Sequence, residues 1–404
     1  MAEFAGWDMP ITYPGGAIQE HRLVRRSAGL FDVSHMGQFL VSGPDALDYL
    51  QRLVTTNLAT VSEQESTYAL LCRYDGGVLD DLFLYNLPDH WLIVVNAANR
   101  EKDFSWFERH LPESPAGEHL IRRPDPARSP GDGSPDPGPA AGPASATRPA
   151  AGDASAAGPG TAPRVRLEDV SEVTAMIAFQ GPSALSVMDH LTDGAASSIP
   201  RFGAAQRSLV GLPQPFTGRP VTIGRTGYTG EDGVELFVPD TMAQAVWELI
   251  LAEAEQAGVE AGPVGLAARD SLRFEPGFAL YGHELTEEIT PLEARLKWAC
   301  DLEKEFIGRD ALLAQREKGL EQRLATVKLT QRGVPREGYR VLKDGEPVGV
   351  VATGMYAPTA DAYCANVFVP PALAKTGTEV DIDIRGRIRS AVVVKRPLYR
   401  PAYR

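Results

Sequence analysis

Residues 68–85 read YALLCRYDGGVLDDLFLY, two apolar runs on either side of the triplet Asp75-Gly76-Gly77. Asp-Gly between β-prone runs is typical of a type I′ hairpin turn, because both central residues of that turn have positive φ. The sequence therefore predicts a β-hairpin here. The apolar run Trp91–Asn96 predicts a third strand.

The second run of this hairpin carries two adjacent carboxylates, Asp80 and Asp81. Successive strand residues point to opposite faces, so one aspartate must face the interior or a cleft if the sheet covers a core. A buried carboxylate needs a partner, or its pKa rises. Spacing alone leaves open whether this residue is a functional acid or a capped or salt-bridged structural one.

The remaining pattern mixes strands and helices without a regular βαβ repeat, which indicates the α+β class. Amphipathic or helix-prone stretches predict helices at residues 45–53, 100–111, 183–191, 241–257 and 263–275. From Leu324 onward the chain changes to short runs separated by turns, typical of a small β-barrel or sandwich. We therefore predict two domains, residues 1–320 and 321–404.

Residues 124–163 stand apart, because Pro, Gly, Ala and Ser make up 32 of these 40 residues. Without large apolar side chains the segment cannot offset its ordering entropy by burial, so we expect a disordered loop. The apolar pattern resumes at Val165, which favours an insertion within a folded unit over an interdomain linker.

Excision of residues 124–163 is therefore expected to leave a protein that folds and keeps its activity, since no core residue is removed. Thermal unfolding followed by circular dichroism checks this, with the full chain as the control. Loss of a cooperative transition in the shortened chain would contradict the insertion hypothesis.

Composition excludes several classes of partner. The formal net charge is -13, which argues against nucleic acid and against an anionic membrane surface, since both require clustered cations. Three widely separated cysteines predict a reduced compartment without disulfides. No run approaches a membrane span, and the N-terminus lacks the basic and apolar regions of a signal peptide, so a cytoplasmic location is expected.

Two further stretches offer binding residues. Glu235 ends the glycine-rich run Gly227–Glu235 and shares a strand face with Phe237, where a carboxylate could grip the amine edge of a flat heterocycle. The alternative is a rim glutamate on an edge strand.

On the helix at 263–275, Arg269 and Arg273 share one side, and Asp270 can pair with Arg273. An arginine there could anchor a ligand, although arginine-rich helices are usually solvated.

Other chemistries lack their motifs. The sequence contains no dinucleotide-binding or phosphate-binding glycine loop and no Gly-x-Ser-x-Gly elbow. The seven histidines are scattered without metal-ligand spacing, so no metal site is expected. His35 could act as a base, but a lone histidine in a strand is more often structural.

Together these stretches resemble the glycine cleavage T-protein family, and the matching motifs follow the family's order over nearly the whole chain. The motifs are Phe4–Pro10, Gly29–Gly37, Gly76–Leu82, Val95–Asp103, Gly227–Glu235, Gly265–Gly277, Leu280–Gly282, Ile307–Asp310 and Lys395–Pro397. The resemblance implies a three-lobed fold. Two α+β lobes would bind folate in a central cavity, and a C-terminal β-barrel would complete the ring.

The resemblance also implies functional residues. The first aspartate of the Gly-Gly-x-x-Asp-Asp motif falls on Asp80, which would be the catalytic carboxylate beside the reacting folate nitrogens. The folate-binding positions fall on Glu235, which would hold the pterin, and on Arg269, Tyr228, Tyr68 and Tyr403.

The implied activity is that of an aminomethyltransferase. It would move a one-carbon unit from the aminomethyl-dihydrolipoyl group of the lipoylated H-protein to tetrahydrofolate, giving 5,10-methylenetetrahydrofolate and ammonia, without metal or flavin. Two alternatives remain open at this stage. One is a folate-dependent demethylase or methyltransferase of the same fold, although no flavin-binding region is present. The other is a non-catalytic folate-binding protein of iron–sulfur assembly, whose Lys-Gly-Cys-type motif is not found here.

Overall fold

The computed structural model describes residues 1–112, 120–123 and 165–403, so the predicted insertion at 124–163 lies outside the described residues. The helices are α1 Ala17–Arg26, α2 Ala46–Leu53, α3 Arg100–Arg109, α4 Ala184–Leu191, α5 Ala243–Gln256, α6 Leu266–Phe274 and α7 Arg309–Lys318. The strands are β1 Ala2–Phe4, β2 Trp7–Met9, β3 Ala28–Asp32, β4 Gly37–Ser42, β5 Ser66–Cys72, β6 Val78–Asn86, β7 Trp91–Val95, β8 Leu120–Arg122, β9 Arg166–Asp169, β10 Thr174–Gln180, β11 Ala204–Ser208, β12 Pro220–Gly224, β13 Gly233–Pro239, β14 Ala261–Pro263, β15 Arg323–Leu329, β16 Arg340–Lys343, β17 Glu346–Ala357, β18 Ala362–Val369, β19 Glu379–Ile384 and β20 Arg387–Val394.

Two six-stranded sheets build the first two lobes. One has the order β11-β12-β13-β10-β3-β14 and the other β5-β6-β7-β4-β9-β8. Each sheet buries one face under helices, because apolar side chains alternate along its strands. Ile177 and Phe179 of β10 pack with α4 and α5 in the first lobe. Leu82 and Leu84 of β6 pack with α2 and α3 in the second.

The opposite faces of the two sheets pack against each other. Tyr85 and Val94 of the second sheet share a core with Met176, Ala178 and Phe237 of the first. Along each strand these residues alternate with those that face the helices, so they lie on the opposite face of the sheet. A residue on this face that lies outside the packed region therefore faces the space between the lobes.

The third lobe is a closed barrel with the strand order β15-β18-β17-β16-β19-β20. Buried aliphatic residues such as Val327, Val367 and Ile382 fill its interior. Closure pairs every strand on both sides and removes exposed sheet edges. The predicted α+β fold with a C-terminal barrel is confirmed, and the sandwich alternative is wrong.

The hairpin between β5 and β6 is also present, but its turn is not type I′. Five residues separate the strands, and among Asp75, Gly76 and Gly77 only Gly76 has a positive φ, of 87°. Arg73 N donates to Gly77 O at 2.8 Å and Gly76 N donates to Arg73 O at 3.0 Å. The turn also packs against another segment, since a Cβ on Gly77 would lie 1.9 Å from the Glu287 carbonyl oxygen. This long-range contact is absent from the local sequence signal.

Within the described ranges, no helix is both long and apolar enough to cross a membrane.

Candidate active site

A cavity lies between the facing sheets, where the loop at Gly227–Thr229 and helix α6 complete its wall. Its volume is about 890 Å³, including the space at its open mouth. Its lining residues are Phe31, Val33, Met36, Tyr68, Asp81, Leu82, Phe83, Tyr85, Val94, Asn96, Met176, Ala178, Gln180, Gly227, Tyr228, Thr229, Glu235, Arg269 and Leu280. Mostly apolar walls with a few convergent polar groups are typical of a site that orients a flat ligand.

Asp81 supplies a carboxylate to this cavity. It lies on the same face of β6 as Phe83 and Tyr85, which also line the cavity wall. The Tyr68 hydroxyl donates to Asp81 Oδ2 at 3.1 Å, and Asn96 Nδ2 donates to Oδ1 at 2.8 Å. Burial, followed by the nearby charge of Asp80, raises the pKa of Asp81 to about 7. A carboxyl group poised near neutrality is suited to proton transfer and to charge stabilisation.

Asp80 does not line the cavity. It lies on the same strand face as Leu82 and Leu84, whose side chains pack with α2 and α3, and it is 0% exposed. Its oxygens accept the Asn96 backbone N–H at 3.0 Å, Asn96 Nδ2 at 2.9 Å and Asn99 Nδ2 at 2.6 Å. Of the two adjacent aspartates, Asp81 therefore lines the cavity, and Asp80 lies on the opposite face of the strand.

Glu235 lies on β13, between β12 and β10, so the alternative of a rim glutamate on an edge strand is wrong. Its Oε2 accepts hydrogen bonds from the Tyr85 hydroxyl at 3.0 Å and from the Thr226 hydroxyl. Burial raises the pKa of this carboxyl. In the part of the chain that the structure describes, no donor reaches Oε1, so this oxygen is available to a ligand.

Arg269 of α6 lines the same cavity. Its guanidinium lies 4.8 Å from the centroid of the Tyr228 ring, a cation–π contact. No carboxylate among the described residues lies within ion-pairing distance of it, and burial lowers its pKa. An arginine with unused donors beside a ligand cavity can bind an acceptor-rich edge of the ligand.

The neighbouring Arg273 is structural rather than solvated. It is 1% exposed and donates to Asp270 at 2.8 Å, as the helical spacing predicted. It also pairs with the buried Glu284 at 2.8 Å, and Asn366 Nδ2 of the barrel donates to the same carboxylate at 2.7 Å. This network fixes α6, and with it Arg269, against the third lobe.

Two predicted tyrosines line the cavity. Tyr68 stacks on Trp298 with ring centroids 5.5 Å apart, and Tyr228 stacks on Phe278 at 5.8 Å. The Tyr228 hydroxyl donates to the Ala279 carbonyl, which fixes the ring. Both rings are held rigidly enough to act as flat walls for an aromatic ligand.

Tyr403 and His35 are placed elsewhere. Tyr403 is 51% exposed, does not line the cavity, and donates from its hydroxyl to Glu231 at 2.5 Å. It thus braces the glycine-rich loop from outside. His35 lies in the turn after β3, not in a strand, and is buried in an edge-to-face contact with Phe4. Burial lowers its pKa to about 3, so it is neutral at physiological pH.

Two polar positions of the cavity wall were not singled out from the sequence. Asn96 follows β7 and bridges Asp80 and Asp81, and Gln180 ends β10. A Cβ on Gly227 would lie 1.9 Å from Gln180 Oε1, so glycine is required for this close approach. The position of Asn96 at the end of the predicted third strand is the one local signal that could have identified it.

The fold and the site together define an α+β protein with a C-terminal barrel and, between its first two lobes, a largely apolar, aromatic-lined cavity with a few convergent polar groups. The family model described as GCVT N-terminal domain matches residues 1–124 and 150–304. The model described as glycine cleavage T-protein C-terminal barrel domain matches residues 322–400. These two models cover most of the chain.

Curated relatives of similar length support the same assignment. An aminomethyltransferase of Herpetosiphon aurantiacus is 38% identical over 407 residues, covering 100% of this chain and 95% of the relative. One of Symbiobacterium thermophilum is 39% identical over 410 residues, covering 100% and 94%. The crystal structure of glycine cleavage system aminomethyltransferase T from Bartonella henselae matches with a TM-score of 0.78 at 29% identity, covering 99% of this chain and 94% of that one. The chain belongs to the glycine cleavage T-protein family and is an aminomethyltransferase.

Proposed function

We propose that this chain transfers the aminomethyl carbon of a dihydrolipoyl H-protein to tetrahydrofolate, giving 5,10-methylenetetrahydrofolate and ammonia. The observation that supports it is the convergence of Asp81, Glu235 and Arg269 on one cavity. These groups suit the polar edge and the reacting nitrogens of a reduced pterin, and tyrosine rings cover its flat faces.

In this proposal Glu235 holds the pterin. The amino group and the neighbouring ring N–H of a pterin form a pair of donors on one edge, which a carboxylate can accept together. Tyr85 and Thr226 hold Oε2 of Glu235 in place, so little ordering is needed when the ligand binds. Arg269 then donates to acceptors of the same ligand.

Asp81 acts on the reacting carbon. Cleavage of the carbon–sulfur bond leaves a cationic iminium carbon, and folate N5 attacks it. N10 then displaces ammonia. One folate N–H proton passes to the departing thiolate and the other to the departing ammonia. The carbon keeps its oxidation level, so the transfer consumes no oxidant. A fixed carboxylate stabilises the developing positive charge and can accept the protons in turn.

The direct test incubates the protein with tetrahydrofolate and aminomethyl-loaded H-protein, and follows ammonia release. Ammonia should appear in proportion to loaded H-protein and only when tetrahydrofolate is present. Unlipoylated H-protein is the control. Folate binding without ammonia release, or turnover of N-methyl donors instead, would overturn the proposal in favour of a binding protein or a demethylase.

The pH dependence follows from the raised pKa of Asp81. Because the ionised form stabilises the cation, the rate of the chemical step should fall as pH drops below about 7, approaching tenfold per pH unit. An aspartate at its ordinary pKa would keep the rate constant down to about pH 5. Single-turnover ammonia release with preloaded H-protein, measured across this range, distinguishes the two profiles.

A further inference from the structure

A third carboxyl group lies behind the aspartate pair. Asp103 of α3 is 0% exposed, and among its charged neighbours the carboxyl group of Asp80 acts on it most strongly. Neither Asp103 oxygen has an N–H or hydroxyl partner within the described chain. An ionised carboxylate can only accept hydrogen bonds, so two carboxyl groups can share one only if one of them is protonated.

The surroundings decide which group carries the proton. Burial raises the pKa of Asp80, but Asp80 accepts three N–H donors from Asn96 and Asn99, which favour its ionised form over that of Asp103. Asp103 accepts none of these. Burial and the negative charge of Asp80 raise the pKa of Asp103 well above its ordinary value.

The charged neighbours do not reverse this assignment. Asp81 also disfavours a negative charge on Asp103, and Lys102 favours it. The Lys102 ammonium, however, donates to the Tyr281 hydroxyl at 2.8 Å and to Glu287 at 3.1 Å, so it is engaged away from Asp103.

We propose that Asp103 is a positioning residue held as the neutral acid, which donates its hydrogen to Asp80 and keeps Asp80 ionised. Asp80 in turn fixes the Asn96 side-chain amide, whose nitrogen lies 2.9 Å from Asp80 Oδ1 and 2.8 Å from Asp81 Oδ1. The chain Asp103–Asp80–Asn96 thereby sets the position of Asp81 at the cavity wall. The protonation state of Asp103 is independent of the proposed function. Only the catalytic benefit of positioning Asp81 rests on it.

Infrared spectroscopy tests the protonation state without any activity assay. At about pH 9, where Asp81 with its pKa of about 7 is ionised, the wild-type protein should show the carbonyl band of a buried protonated carboxyl group, and Asp103→Asn should lack it. An unchanged band in Asp103→Asn, or no such band in the wild type, overturns the proposal. Neither result depends on whether the protein transfers aminomethyl groups, so failure here is separable from failure of the proposed function.

Kinetics test the positioning role. Asp103→Asn keeps an N–H donor for Asp80, so its kcat should stay within about threefold of wild type. Asp103→Leu removes the donor at similar volume, so its kcat should fall about tenfold or more with the KM for tetrahydrofolate little changed. The acid limb of the pH profile should move in the leucine variant only.

Equal loss of kcat in both folded variants would contradict the proposal, because a neutral donor would then be insufficient. Circular dichroism establishes folding. If the leucine variant does not fold, the infrared comparison and the kcat of Asp103→Asn still decide the outcome.

Discussion

Asp81→Asn should lower turnover by roughly 10²–10⁴-fold while leaving tetrahydrofolate binding nearly unchanged. The amide has nearly the shape of the carboxylate but can neither stabilise the cationic carbon nor accept a proton. Ammonia release at saturating substrates measures the first effect and titration calorimetry the second. Asp48→Asn is the matched control, since Asp48 is exposed on α2 and should leave both quantities unchanged.

The neighbouring Asp80→Asn provides a second comparison. Asp80 accepts hydrogen bonds from Asn96 and Asn99. The side-chain NH₂ group of an asparagine at position 80 would point an N–H donor at these N–H donors. This variant should therefore lose thermal stability together with turnover, whereas Asp81→Asn should lose turnover alone. Full turnover in Asp81→Asn would remove this residue from the chemistry. Loss of turnover in Asp80→Asn at unchanged thermal stability would assign the catalytic role to the first aspartate.

The sequence contains enough to predict which of these two aspartates faces the cavity. Asp81 alternates with Phe83 and Tyr85, whereas Asp80 alternates with Leu82 and Leu84. The aromatic parity faces the ligand space and the aliphatic parity faces the helices, because a sheet between a core and a cavity sorts its residues in this way. The family motif alone directed the prediction to Asp80. The same parity argument correctly placed Glu235 beside Phe237.

Other features depend on contacts that sequence spacing does not specify. The turn at Gly76–Gly77 packs through Gly77 against the segment around Glu287, and Tyr403 hydrogen-bonds to Glu231, 172 positions away. Arg273 has the spacing of a solvated arginine, yet Glu284 and the barrel bury it. Local periodicity predicts elements and faces. It cannot predict which distant segment completes a charge pair.

Glu235→Gln should weaken tetrahydrofolate binding roughly 10- to 150-fold, the range expected for losing a hydrogen bond to a charged group. Only one carbonyl oxygen remains in glutamine, and Tyr85 and Thr226 already occupy one oxygen of Glu235. The side-chain amide would therefore meet the donor edge of the pterin with a donor. Titration calorimetry measures the effect, and Glu248→Gln on the exposed face of α5 is the matched control.

Arg269→Lys extends the same argument. Lysine keeps the positive charge but lacks the planar guanidinium that lies over Tyr228. Tetrahydrofolate binding should therefore weaken even though the charge at this position is unchanged. Turnover at saturating tetrahydrofolate should stay close to wild type in both variants, because neither residue is proposed to contact the transferred carbon. A large fall in kcat with normal affinity would instead place Glu235 or Arg269 in the chemical step, and the cavity would have to hold the pterin in the opposite orientation.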